Sequence, residues 1–179
     1  MNAQCFSLKA FPTITPLSDL EISGSIARRS NTLAISYTLS GALTELNIPA
    51  RADVPVRKHG LWEETCFECF LAVKNSPRYW EFNLSPAGHW NVYRFAAYRQ
   101  GMQEETSFQA LALSVESRGE ALLFAVELGL DRIILTEQTL EVAVGTVIKY
   151  KDGKLTYWAL THPGPQPDFH RRDSFIITL

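Results

Sequence analysis

From residue 20 to residue 179 the chain is cut into short runs rich in β-branched and aromatic residues, each closed by a turn signal. The runs fall at 20–27, 33–40, 65–73, 79–85, 90–98, 108–116, 122–128, 140–150, 155–160 and 175–179. Three closures are chemically specific. "NSPR" at 75–78, "SPAG" at 85–88 and "KDGK" at 151–154 set turn-favouring residues between two runs, which predicts antiparallel hairpins, the first two forming a three-stranded meander. Helical patterning is confined to a turn or so near 130–136 and around 51–54, too little to cover a sheet. A sheet without helices buries its apolar face only against another sheet or by curling on itself. The expected fold is therefore all-β: an antiparallel β-sandwich of jelly-roll or immunoglobulin-like type with a few short helical turns. No Gly/Ser-rich or Pro-rich linker divides the 179 residues, so 1–179 reads as a single domain.

Charge narrows the partners. The 17 Lys and Arg and 19 Asp and Glu are mixed along the chain rather than gathered in blocks, so there is no basic stripe to neutralise phosphates and nucleic acid is not an expected partner. No run of eighteen apolar residues suggests a membrane helix. The opening "MNAQCFSLKAFPTITP" lacks a basic segment followed by an apolar stretch and a cleavage site, which gives a cytoplasmic expectation. No feature of the pattern points to a particular oligomeric state. Cys5, Cys66 and Cys69 are too few for a disulfide framework. The odd spacing of Cys66 and Cys69 within one strand sends them to opposite faces, as small buried residues rather than a metal or redox pair.

The stretch "LWEETCFECFLAV" at 61–73 holds an anomaly. Alternation puts Thr65, Phe67, Cys69, Leu71 and Val73 on one face, which is core, and Cys66, Glu68, Phe70 and Ala72 on the other. Glu68 is then a lone charge among apolar neighbours and must meet a partner or reach water. In "YWEFNLS", Trp80, Phe82 and Leu84 oppose Tyr79, Glu81, Asn83 and Ser85; in "WNVYRFAAY" both faces carry aromatics. The three strands together offer Glu68, Glu81, Asn83 and Arg94, with Trp62 before the first, Trp90 opening the third and Trp158 on a late strand. Polar groups fixed beside flat rings suit a neutral polyhydroxylated ligand, whose C–H face packs on Trp while its hydroxyls bond the polar groups. The same pattern also fits a solvated outer face with Arg–Glu cross-strand pairs.

"LWEETCFECFLAV", "YWEFNLSPAGHWNVYRFAAYR" and "YWALTHPGPQPDFHRRDSF" resemble the DOMON-like ligand-binding domains related to family 9 carbohydrate-binding modules, from about Leu61 onward. Its specific part is a Trp followed six residues later by a Glu in a strand, then the "W-E-F-N-x-S-P-x-G" hairpin. The resemblance implies a β-sandwich whose members bind sugars or haem without hydrolysing anything. It also implies that Trp62 and Trp158 sandwich a sugar, with Glu68 as acceptor and Arg94 as donor, or Tyr93 in place of Arg94. Such modules hold structural calcium; no cluster of oxygen ligands is evident in this chain, so calcium is not carried over. With no export signal, a soluble sugar, a sugar-bearing metabolite or an unrelated small molecule is the expected ligand.

Three further constellations bear on function. The tail "THPGPQPDFHRRD" carries His162, Asp168, His170 and Asp173, but its spacing matches no zinc motif and its prolines favour a stiff extended path that could wall one side of a pocket. Haem, the alternative ligand, would draw on Met102 with His89, His162 or His170. A glycan-processing enzyme would draw two carboxylates from Glu63, Glu64, Glu68 and Glu81. Nothing selects a pair, and no nucleophile elbow, HExxH or phosphate loop is present, so no catalytic residue is assigned.

Overall fold

In a computed structural model, which describes residues 3–13 and 19–179, the runs form two antiparallel sheets. In chain order the strands are β1 Gln4–Ser7, β2 Lys9–Ala10, β3 Leu20–Arg29, β4 Thr32–Gly41, β5 Cys66–Val73, β6 Tyr79–Leu84 and β7 Trp90–Phe95. They continue as β8 Gln103–Glu104, β9 Ala112–Arg118, β10 Ala121–Gly129, β11 Leu140–Lys149, β12 Leu155–Ala159 and β13 Ile177–Thr178. The smaller sheet runs β1-β3-β4-β10-β9. The larger runs β2-β12-β11-β5-β6-β7-β8, with β13 also on β11. β5, β6 and β7 are the expected meander, and "KDGK" closes the β11–β12 hairpin.

Alternation explains the packing. Phe67, Cys69 and Leu71 of β5, Trp80, Phe82 and Leu84 of β6, and Val142, Val144 and Ile148 of β11 point toward the smaller sheet. They meet Ile35, Tyr37 and Leu39 of β4 and Leu122, Phe124 and Val126 of β10. Phe67 stacks on Phe124 at 4.7 Å, and the buried Tyr37 hydroxyl donates to the Glu68 carbonyl at 3.0 Å, a hydrogen bond between the sheets. Helical structure among the described residues amounts to three single turns, Leu43–Glu45, Leu61–Glu63 and Arg172–Ser174. The segment 130–136 folds as turns rather than a helix, and 51–54 is irregular.

A second apolar cluster lies on the far face of the larger sheet, built from Phe70, Tyr79, Tyr93 and Phe95 with Phe169 and Phe175 of the tail. The larger sheet is thus covered on both faces. This explains why β5 and β6 are buried almost throughout, and why the alternation in β7 carries aromatics on both sides.

Candidate functional site

The far face of the larger sheet holds a cavity of about 470 Å³. Its position follows from register. Glu68 of β5 faces Gly145 of β11 on one side and Asn83 of β6 on the other, and Glu81 sits two residues along β6, opposite Phe70 and Tyr93. Glu68, Glu81 and Val147 of β11 line the sheet side of the cavity. Phe95 of β7 closes one flank, and Leu155 and Tyr157 of β12 the other.

Trp62 also lines the cavity, from the turn Leu61–Glu63 just before β5. That turn begins at Gly60, whose φ of 73° lies in the left-handed region where glycine is least strained. The indole is held edge-on between His59, at 5.0 Å, and Tyr93, at 5.9 Å. The Tyr93 hydroxyl accepts from the Asn91 amide at 2.8 Å and shares a further hydrogen bond with His59 Nδ1 at 2.7 Å. A chain of polar contacts therefore sets the angle of the aromatic platform.

The tail supplies the remaining wall. After β12, the proline-spaced segment carries Pro167, Asp168, Phe169 and His170 over the sheet. Asp168 accepts from the Arg99 guanidinium at 2.8 Å and from the Tyr98 hydroxyl. Arg99, in the turn after β7 with a positive φ of 52°, donates its backbone N–H to the Tyr79 hydroxyl at 3.1 Å. That hydroxyl in turn lies 2.8 Å from His170 Nδ1. Its oxygen also accepts from the Arg99 N–H, and the other ring nitrogen, His170 Nε2, faces Glu81 Oε2 at 4.0 Å. Phe169 fits because Gly145 has no side chain: a Cβ there meets the Phe169 ring at 3.0 Å.

Burial dominates the electrostatics. It pushes Glu81 up to about 7, against the hydrogen bond from Asn83 and the charge of Arg99. Burial, and then the charge of Glu81, hold Glu68 well above the usual carboxylate range. Burial lowers His170 to about 4, so the imidazole is neutral near pH 7. Asp168 is the opposite case: burial works against its charge, but hydrogen bonds from Tyr98 and Arg99 prevail and keep it low. Glu68 Oε1 is fully buried and has no hydrogen-bond partner among the described residues.

Of the expected ligand-binding residues, Trp62, Glu68 and Glu81 come together at the cavity, joined there by Glu63, Met102, Asp168 and His170. Asn83 lies beneath it, donating to Glu81 Oε1 at 2.9 Å and accepting from Cys66. The structure does not bring Arg94 there. It shares the face of Trp90 and Val92, toward the sandwich interior, and at the sheet margin it bonds Gln103 and approaches Glu105. Trp158 is likewise absent from the cavity. It is buried between the sheets with its Nε1–H on Thr156, and its neighbour Tyr157 takes the cavity side. Tyr93 occupies the face expected of it and props Trp62. Arg99 and Tyr157 carry no pattern that would have marked them beforehand, whereas the proline spacing of the tail did suggest a wall.

The haem candidates are scattered: Met102 and His170 line the cavity, whereas His89 and His162 do not. The His170 Nδ1 lies 2.8 Å from the Tyr79 hydroxyl and its Nε2 lies 4.0 Å from Glu81 Oε2, so iron ligation by His170 would compete with the Tyr79 contact or set the metal against a carboxylate. Of the other histidines, His59 Nδ1 pairs with the Tyr93 hydroxyl, His89 Nδ1 accepts from the Val56 N–H and His162 Nε2 pairs with the Lys9 carbonyl, and none of the three lines the cavity. Among the described residues no group of three or more His, Cys, Asp or Glu is arranged to hold a metal ion. No helix of the described residues is long and apolar enough to cross a membrane.

Neither a protein-family model nor a curated protein matches the sequence. Solved structures do. A candidate carbohydrate-binding protein from Bacteroides uniformis ATCC 8492 superposes with a TM-score of 0.72 over 96% of this chain and 83% of its own, at 14% identity. A family 9 carbohydrate-binding module from Caldicellulosiruptor kristjanssonii, in complex with glucose, superposes with a TM-score of 0.50 over 84% of this chain and 72% of its own, at 6% identity. The all-β sandwich is thus the fold of the family 9 modules, as the sequence led us to expect.

Proposed function

We propose that the cavity binds a small carbohydrate-like molecule, and that the chain acts by holding this ligand rather than converting it. One observation carries the reading: buried carboxylate oxygens of Glu68 and Glu81 lie at the base of a cavity walled by Trp62, Phe95, Tyr157 and Phe169. Flat rings accept the C–H face of a sugar, and acceptors fixed between them take its hydroxyl protons. In this reading Trp62 is the stacking platform, and Tyr157 stands opposite, in the role the resemblance assigned to Trp158. Arg99 takes the donor role expected of Arg94. The fold likeness to a module holding glucose supports the same ligand class.

The test is a titration of the protein with mono- and disaccharides, followed by tryptophan fluorescence. Saturable change that vanishes in Trp62→Ala, with melting behaviour retained, is the expected result; a flat response across the panel sinks the proposal. The neighbouring carboxylates also favour a second reading, glycoside hydrolysis by an acid and a nucleophile or base. Release of phenol from aryl glycosides, abolished in both Glu68→Gln and Glu81→Gln, would select it.

A further inference from the structure

Charge around the cavity is unbalanced. Among the described residues four carboxyl groups line it, from Glu63, Glu68, Glu81 and Asp168, against the single guanidinium of Arg99. Arg99 is already matched by Asp168 at 2.8 Å. His170 meets Glu81 only at 4.0 Å and has its other ring nitrogen engaged by Tyr79. Lys149, at the end of β11, pairs with Glu64 at 2.6 Å and does not line the cavity. Glu68 and Glu81 are diagonal neighbours on adjacent strands, a placement that sets their Cβ atoms about 7–8 Å apart or somewhat less. Glu68 Oε1 is buried with no partner among the described residues, though its side chain lines an open space. Among the described residues the site therefore presents an acceptor without a donor and a carboxyl pair with no cation in hydrogen-bond contact, Arg99 acting on it only from a distance.

We infer that the ligand of this cavity carries a protonated primary amine, which docks between Glu68 and Glu81 inside the aromatic walls. This rests on the reading of the cavity as a carbohydrate site and narrows the class from neutral sugars to amino sugars. An ammonium brings three N–H donors, enough to satisfy Glu68 Oε1 and reach Glu81 together, and its charge compensates a carboxylate that is costly to leave alone in a buried place. The faces of Trp62, Phe95, Tyr157 and Phe169 carry the negative side of the aromatic quadrupole, which attracts a cation further. A hydroxyl can satisfy Oε1 but leaves the charge uncompensated, and a quaternary ammonium offers no N–H at all. In the absence of a cation, burial favours protons on the carboxyl pair, so an ammonium displaces them to the buffer.

The experiment is calorimetric titration of the full chain near neutral pH, in two buffers of different ionisation heat. The probes are glucose, glucosamine and N-acetylglucosamine, the matching galactose and mannose trios, and cyclohexylamine. The expected result is an amino sugar bound about tenfold or more tighter than its neutral and N-acetylated partners, with protons released on binding. That preference is expected to disappear in Glu68→Gln and Glu81→Gln; if either variant fails to fold, proton release by the unmodified chain decides alone. A neutral sugar bound as well as its amine counterpart overturns the amine anchor and leaves the carbohydrate reading standing. Cyclohexylamine bound where every sugar is silent supports the amine anchor and removes the sugar frame. Silence from all the probes overturns both.

Discussion

His170 and Tyr79 lie ninety-one positions apart in the chain yet share a hydrogen bond of 2.8 Å, through which the proline-spaced tail is fastened to the larger sheet. The imidazole also meets Phe70, Tyr79 and Phe95 edge-on at 5.1, 5.8 and 5.2 Å. His170→Ala removes both kinds of contact and leaves the Tyr79 hydroxyl without its imidazole partner. The expected loss is about 1–3 kcal/mol of stability, measured by denaturant titration, together with weaker binding of any cavity ligand. An unchanged affinity would show that the tail wall does not touch the ligand.

The two buried carboxyls set a pH dependence of definite sign. Burial raises Glu81 from 4.5 to about 7, so it contributes stability that is fully present below 4.5 and lost as pH rises through about 7. Glu68, raised by burial and by Glu81, acts in the same direction. His170, lowered by burial from 6.5 to about 4, contributes stability present above 6.5 and lost as pH falls through about 4. Histidine and carboxyls oppose each other between 4.5 and 6.5; above that window only the carboxyls remain. The melting temperature is expected to fall as pH rises through about 7, and to fall less in Glu81→Gln. Equal slopes in the two proteins would refute the assignment.

Tyr157 and Trp158 are neighbours in sequence with opposite duties. Trp158→Ala empties part of the core between the sheets and is expected to cost about 3–5 kcal/mol. Tyr157→Ala opens one flank of the cavity and is expected to weaken the ligand at a much smaller cost in stability. Unfolding curves and sugar titrations on the same two variants separate these effects. A reversal of the pair would return Trp158 to the role its motif suggested.

Gly145→Ala probes the close approach of the tail to the sheet. The new methyl meets three Phe169 ring atoms at 3.0 to 3.1 Å, so the ring must shift by a few tenths of an ångström. Because Phe169 and Glu68 line the same cavity, the expected outcome is reduced affinity with a small change in melting temperature. Unaltered affinity would place the bound ligand away from Phe169.

Much of this was legible in the chain because alternation reports which side of a strand a residue takes. It put Glu68 and Glu81 on the face away from the sandwich core, and the turn signals delivered the meander and the β11–β12 hairpin. Parity says less where both sides carry rings. In "LTYWAL" it separates Tyr157 from Trp158 without saying which is inside, and size decides for the indole, which fills the space between the sheets. Arg94 was misplaced for a related reason, since it shares the side of Trp90 and Val92 and escapes burial only at the sheet margin. Arg99 lies in a turn, where no period operates, and is set by a left-handed backbone and by Asp168. The short strands β1, β2 and β8 have too few residues for alternation to register at all.

The division of the floor strands into a scaffold side and a cavity side has a practical corollary for reshaping this protein. Positions 68, 81, 95, 147, 155 and 157 form a combinatorial surface whose members interleave with, but do not belong to, the packing between the sheets. A library diversified at these positions alone should yield folded proteins at high frequency and altered recognition among them. The same diversity shifted by one residue along each strand should yield mostly aggregates.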